Sequence, residues 1–175
     1  KADCHGFLKR RKYLLDLPTY SDERDFPIAF SILTFKSASQ FERLLRMIYR
    51  PWNYYCIHVD LKSSRDLFEA VDNLSICLNS RFGNVINVVG RLPVVWGEFS
   101  VLQADITCMR ELFRRFADWW YFINLTGQEF PLKTNWEIVR ILRAFRGANN
   151  VDGTYGFRDE DRIPTTVLPF PVRFN

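Results

Sequence analysis

Two almost unbroken apolar runs, Ile28-Ala29-Phe30-Ser31-Ile32-Leu33-Thr34-Phe35 and Tyr54-Tyr55-Cys56-Ile57-His58-Val59, are separated by a stretch whose apolar residues recur at helical spacing. A strand covered on one face alternates apolar with polar residues. A strand covered on both faces reads as a continuous apolar run, so these two belong to a sheet with helices on either side. Between them Phe41, Leu44, Leu45 and Ile48 share a helix face, and Pro51 stops the helix. The same alternation continues along the chain. Leu67, Ala70, Val71 and Leu74 mark a second helix, and Val85 to Val89 a third strand. Ser100 opens a helix whose expected apolar stripe is Leu102, Ile106, Met109, Leu112 and Phe113. Trp119 to Leu125 reads as a fourth strand. Thr134 reads as an N-cap, with Glu137 completing a capping box and Ile138, Ile141 and Leu142 facing the core. Strand and helix in alternation predict a parallel, doubly wound α/β sheet. Right-handed crossovers then gather the carboxyl ends of the strands on one side.

The second run ends in Asp60, followed by the polar residues Lys62, Ser63 and Ser64. Ligands of open α/β sheets bind beyond the carboxyl ends of the strands, so an acid at that point faces the expected crevice. Such a carboxylate is able to accept hydrogen bonds from a nucleoside, to hold a metal, or to cap the next helix. The local sequence leaves all three open. Thr34-Phe35-Lys36-Ser37 follows the first strand, and Leu125-Thr126-Gly127-Gln128-Glu129-Phe130-Pro131 the fourth. Gly127 permits a close approach of backbone to ligand, and Glu129 places a second carboxylate near the same edge. In Val94-Val95-Trp96-Gly97-Glu98-Phe99-Ser100 an exposed Trp96 is able to stack on a base or sugar. Together these loops suggest a nucleotide-sugar crevice.

Other chemistries are disfavoured. No Gly-x-Gly-x-x-Gly, Gly-x-x-x-x-Gly-Lys or Gly-x-Ser-x-Gly occurs, which argues against dinucleotide, P-loop and serine-hydrolase sites. His58 lies within a strand and reads as a satisfied core histidine. Four cysteines without a Cys-x-x-Cys pair, beside only two histidines, argue against zinc and allow three disulfide pairings or none. The net charge of +4 suits an anionic ligand such as a nucleotide diphosphate. The densest basic run, His5 to Lys12, reads as a solvated helix, and the basic residues form no stripe for nucleic acid. With 175 residues, 47% of them hydrophobic, the chain suffices for one compact domain. It has no starting Met and no apolar stretch long enough to span a membrane, and it reads as a piece of a longer protein. Two sequons occur: Asn73-Leu74-Ser75 on a polar helix face, a glycosylation site in a secretory protein, and Asn124-Leu125-Thr126, expected to be buried.

Several of these segments carry a family likeness. Phe26-Pro27-Ile28-Ala29-Phe30-Ser31-Ile32, Arg43-Leu44-Leu45-Arg46-Met47-Ile48-Tyr49-Arg50-Pro51, Tyr55-Cys56-Ile57-His58-Val59-Asp60-Leu61-Lys62-Ser63, Gln103-Ala104-Asp105 and Phe122 to Asn135 resemble the core-2/I-branching β-1,6-N-acetylglucosaminyltransferases. The likeness runs from about Asp3 to Asn150 and fades beyond Asp152. It implies a GT-A-like, Rossmann-like fold with a mostly parallel sheet, helices on both faces, and a C-terminus left incomplete. Residues 1–150 would form the donor-nucleotide-binding part and 151–175 the truncated start of the acceptor side. The resemblance further implies a Golgi type II membrane enzyme with a lumenal catalytic domain, anchored through an N-terminal segment absent here. Its partners would be UDP-GlcNAc and a glycan acceptor, an O-glycan or polylactosamine, with transfer to a 6-hydroxyl and inversion through an oxocarbenium-like transition state. No cofactor or metal is implied: basic side chains stabilise departing UDP in place of a metal, and the chain is read as having no Asp-x-Asp, in agreement with the family.

Carried over by position, Leu33, Thr34, Phe35 and Asp60 would hold the uridine, with Trp96 and Glu129 also on the donor side and Asp152 on the acceptor. Thr126 stands where some relatives carry Cys, and Glu129 where many carry Asp. The family's catalytic glutamate and its diphosphate-binding Arg and Lys fall C-terminal to this chain, so the 175 residues alone are not expected to transfer sugar. Disulfides Cys4–Cys77 and Cys56–Cys108 are implied, each typically contributing about 2–4 kcal/mol. A UDP-xylose-dependent xylosyltransferase of the same broader family, and a non-catalytic UDP- or glycan-binding relative, are the alternatives; the wording of Arg43 to Pro51 and Cys56 to Asp60 favours the branching enzymes.

Overall fold

The computed structural model describes residues 3–14 and 20–150. Four parallel strands, β1 (Ile28–Thr34), β2 (Tyr54–Val59), β3 (Val85–Asn87) and β4 (Tyr121–Thr126), form one sheet in the order β3-β2-β1-β4. The helices are α1 (Cys4–Arg10), α2 (Ser21–Arg24), α3 (Ala38–Ile48), α4 (Arg65–Asn79), α5 (Phe99–Arg115) and α6 (Asn135–Ala144). The expected α/β alternation is therefore present. Serine hydroxyls open α3 and α4: Ser37 accepts from the Gln40 amide and Ser64 from the Leu67 amide. The capping box of Thr134 and Glu137 is formed as expected.

The chain steps outward from β1 to β2 to β3, then returns to lay β4 on the other side of β1. The reversal between β1 and β4 is a topological switch point, the place where ligands of open α/β sheets bind beyond the strand ends. The two faces differ in content. One buries Ile28, Phe30, Ile32, Tyr55, Ile57 and Val59 beneath residues of α1, α3, α4 and α6. The other presents Ala29, Ser31, Cys56 and Ile86 to α5.

That second face corrects the stripe expected for α5. Its buried residues are Ala104, Asp105, Cys108 and Leu112, whereas Leu102 and Phe113 are exposed and Ile106 partly so. Over Ala29, Ser31 and Cys56 the helix packs through Ala104, Asp105 and Cys108, so Leu102, Ile106 and Phe113 turn outward, while Leu112 is buried as expected. Ile141 of α6 likewise points out, and Val139 takes its place in the core. Asn124 is also exposed rather than buried, because β4 is an edge strand and α5 covers it only in part.

The expected Cys4–Cys77 disulfide is present and ties α1 to α4. The Cys56–Cys108 disulfide is not: both are free thiols, buried together between β2 and α5 within hydrogen-bond reach. Burial pushes the Cys56 thiol far above its ordinary pKa, so it stays protonated and lacks the thiolate that disulfide exchange requires.

Candidate binding site at the strand ends

The last two carbonyls of β1 draw its neighbours' loops together. Thr34 O accepts from the Asp60 amide at 2.9 Å, and Leu33 O accepts from the Gly127 amide at 2.7 Å. Gly127 is required where it stands, since a Cβ there would lie 2.6 Å from Thr34 Oγ1 and 3.3 Å from Thr34 Cα. Thr34 is buried and Leu33 half-buried, so the backbone contributed by these two residues shapes the floor of the crevice. Phe35, 53% exposed, stands at its lip.

Asp60 is buried, and both of its oxygens are engaged by one residue. Oδ1 accepts from the Lys62 amide at 2.9 Å, and Oδ2 lies 3.3 Å from Lys62 Nζ. Lys62 Nζ also donates to Val94 O, tying this turn to the loop that leads to Trp96. Asp60 does not cap α4, a task that Ser64 performs. Of the three roles open to this carboxylate, helix capping is thereby removed. A carboxylate oxygen has more than one acceptor direction, so the Lys62 contacts leave Asp60 able to take a further donor.

Beneath Asp60, the fully buried His58 accepts from the Leu92 amide through Nε2 at 3.0 Å and so anchors the loop after β3. Burial holds its pKa below the ordinary value, which keeps the ring neutral and able to accept. The expected core histidine is thus satisfied at Nε2 only; Nδ1 has no partner among the described residues. Trp96 is 86% exposed beside Gly97, whose φ of +82° turns the loop, while Ser100 Oγ accepts from the Val95 amide at 2.8 Å to pin that loop to α5. Glu129 closes its own turn, Oε2 accepting from the Thr126 amide at 2.5 Å.

One residue of this region escaped the sequence reading. Asp105 of α5 is buried under the β1–β4 junction, accepting from Ser31 Oγ at 2.7 Å and from Asn124 Nδ2 at 3.4 Å. The only signal was its place in Gln103-Ala104-Asp105, next to Ala104 and three residues before Cys108, on the face that turned out to be buried. The structure therefore brings Leu33, Thr34, Phe35, Asp60, Gly127 and Glu129 to one edge of the sheet, with Trp96 on the loop tied to Asp60 through Lys62. Asp152 lies outside the described residues, as does Asp159-Glu160-Asp161, an Asp-x-Asp that corrects the reading of the chain as having none. Asn73 is exposed on α4, away from the strand ends, in a cleft of about 680 Å³ between α1, α3 and α4. Among the described residues no three His, Cys, Asp or Glu side chains cluster as metal ligands, and no helix is long and apolar enough to cross a membrane.

Residues 28–163 match the family described as Core-2/I-Branching enzyme, a span that takes in all four strands and every loop of the crevice. The chain belongs to the core-2/I-branching enzyme family. Among curated proteins it is similar to a beta-1,3-galactosyl-O-glycosyl-glycoprotein beta-1,6-N-acetylglucosaminyltransferase of Homo sapiens, 46% identical over 152 residues, which cover 86% of this chain and 34% of the relative. The protein of the same name in Bos taurus is 43% identical over 151 residues, with 86% and 34% covered, and that of Bovine herpesvirus 4 is 40% identical over 150 residues, with 86% and 33% covered. The chain thus spans about a third of the length of these core-2/I-branching relatives.

Proposed function

We propose that this chain is the donor-nucleotide half of a β-1,6-N-acetylglucosaminyltransferase that takes UDP-GlcNAc as donor and an O-glycan or polylactosamine as acceptor in the Golgi lumen. The observation that carries the reading is the convergence of Thr34, Asp60 and Gly127 at the β1–β4 switch point, in a chain of this family. Uracil N3–H and the ribose hydroxyls are donors, and Asp60 is an acceptor held still by the Lys62 amide. Trp96 offers a flat apolar surface to the base or to the sugar. Gly127 and Thr34 let the nucleotide approach the backbone, and Glu129 sets the turn that holds Gly127 in place. An ammonium rather than a second carboxylate stands at Asp60, which supports a donor site that works without a metal. Asp152 would open the acceptor side, an N-glycan on Asn73 would project from a helix remote from the crevice, and an anchor outside this sequence would hold the enzyme in the membrane.

Calorimetric titration of the chain with UDP, UDP-GlcNAc and UDP-xylose, with and without EDTA, tests this. UDP and UDP-GlcNAc should bind equally with and without EDTA, UDP-xylose should not bind better, and Asp60→Ala should weaken UDP at least about tenfold, roughly 1.4 kcal/mol. No UDP binding, or binding abolished by EDTA, would overturn the reading. The chain alone should not turn over UDP-GlcNAc with a core 1 acceptor, because the family likeness implies a base and a basic pair C-terminal to these residues.

A further inference from the structure

His58 is polar where packing alone calls for an apolar side chain. It is wholly buried on β2, and a polar group there is costly unless it is paired. Its Nε2 accepts from the Leu92 amide at 3.0 Å. The Leu92 carbonyl in turn accepts from the Leu61 amide at 3.1 Å, so Leu92 is gripped on both sides by the chain that flanks Asp60. Two residues on, Val94 O accepts from Lys62 Nζ, the same ammonium that lies 3.3 Å from Asp60 Oδ2. Pro93 stands between them, and its ring fixes φ, so the direction set at Leu92 is carried into Val94. The Glu98 amide then donates to Val95 O at 3.1 Å and closes a turn with Trp96 and Gly97 at its centre, while Ser100 Oγ takes the Val95 amide. Trp96 therefore stands between an anchor on β2 and an anchor on α5. On the β2 side the Lys62 side chain is largely exposed, whereas the His58 ring is held in the core.

We propose that His58 is a positioning residue for the donor crevice: by accepting from the Leu92 amide it fixes residues 92–96 against the strand that leads to Asp60, and so sets the place of Trp96 beside the nucleotide. The proposal rests on the donor-site reading above. What the loop needs from His58 is one fixed lone pair. A neutral ring with its proton on Nδ1 presents that lone pair at Nε2. A doubly protonated ring presents a donor to the Leu92 amide instead, and the anchor is lost. Burial holds the pKa of His58 below the ordinary histidine value; of the charges that act on it, Asp60 favours the protonated ring and Arg91 opposes it. The anchor is therefore in place above about pH 6.5 and is given up as pH falls through the lower folded value.

The test is calorimetric titration of the chain with UDP from about pH 4 to pH 8 in wild type, His58→Gln and His58→Leu, beside NMR spectra of the Leu92 amide and the Trp96 indole. Gln carries an acceptor at about the reach of Nε2 and does not titrate, whereas Leu fills the space and offers no acceptor. At pH 8 His58→Leu should bind UDP about fivefold more weakly than wild type, the lower end of ordinary coupling between sites, with the Leu92 and Trp96 resonances displaced in a folded spectrum. His58→Gln should recover most of that affinity. Toward acid, wild type should lose about fivefold relative to His58→Gln. Protonation of Asp60 or of UDP acts on both proteins alike, so the ratio of their affinities isolates His58. A His58→Leu protein that binds UDP as wild type does, a His58→Gln protein as weak as His58→Leu, or one pH profile shared by wild type and His58→Gln overturns the proposal. Should His58→Leu not fold, wild type against His58→Gln across pH decides alone. Should wild type bind no UDP at any pH, the donor-site reading fails. The Leu92 and Trp96 resonances, moving toward acid in wild type and not in His58→Gln, then still decide whether His58 sets the loop.

Discussion

The two ends of the sheet are built on opposite principles. At the amino ends of the strands, polar side chains are buried and satisfy one another. Asn53 accepts from the Ile28 amide and donates to Asn135, which donates to Glu23, and Asn84 accepts from Tyr49 and donates to Asn53 O. At the carboxyl ends, large apolar groups stand open to solvent. Phe35, Leu61, Trp96, Phe99 and Phe130 are each more than half exposed, around the buried Asp60 that Lys62 engages. A satisfied buried network stabilises and specifies a fold, whereas exposed aromatics around fixed polar groups are what a ligand requires. Substitutions at the lower end should therefore lower stability and spare binding, and those at the upper end the reverse.

The largest expected effect is at the lower end. Asn53→Ala strands the Ile28 amide and Asn135 Oδ1 in the interior and should cost about 3 kcal/mol in urea unfolding, with UDP affinity of the folded protein unchanged. Loss of UDP binding at full folding would erase the distinction between the ends. Gly127→Ala should be felt in both measurements. Its Cβ collides with Thr34, so unfolding should shift by about 2 kcal/mol and UDP binding should weaken at least about tenfold.

His58 gives a smaller effect with a pH signature. Its folded-state pKa is depressed, so its stabilisation is complete above about pH 6.5 and is lost as pH falls through the folded value. His58→Leu should cost about 1 kcal/mol at pH 8 by orphaning the Leu92 amide, and the cost should shrink toward acid; a constant difference across pH would refute it. Asp105 runs with the opposite sign: its pKa is raised, so its contribution is complete below the ordinary aspartate range and is lost as pH rises. Thermal unfolding of Asp105→Asn should gain on wild type with increasing pH. Smallest of all, Leu102→Ser on the exposed face of α5 should move stability by no more than about 0.5 kcal/mol; a drop of several times that would mean the face is covered.

Legibility in the sequence follows the range of the interaction. The strands were readable because burial on both faces leaves an unbroken apolar run, as in Ile28 to Thr34. The start of α6 was readable because a capping box closes within three residues. The stripe of α5 was misread because its spacing was correct for a helix but the sheet beneath it carries Ala29, Ser31 and Cys56, and a partner's side-chain size leaves no mark on the helix. Asp60 was readable as an acid at a strand end, but not the two contacts that Lys62 makes to it.

The sequence by itself determined the alternation of strands and helices, the identity of the strand-end residues and the likeness that names the family. Each of these is written in neighbouring residues. Only the tertiary structure decided that β4 lies beside β1, and with it that Gly127 meets Thr34 and that Asp105 is shared by Ser31 and Asn124. Apolar periodicity records that a residue is buried; which partner it is buried against depends on strand order, and that is set by packing between segments far apart in the chain.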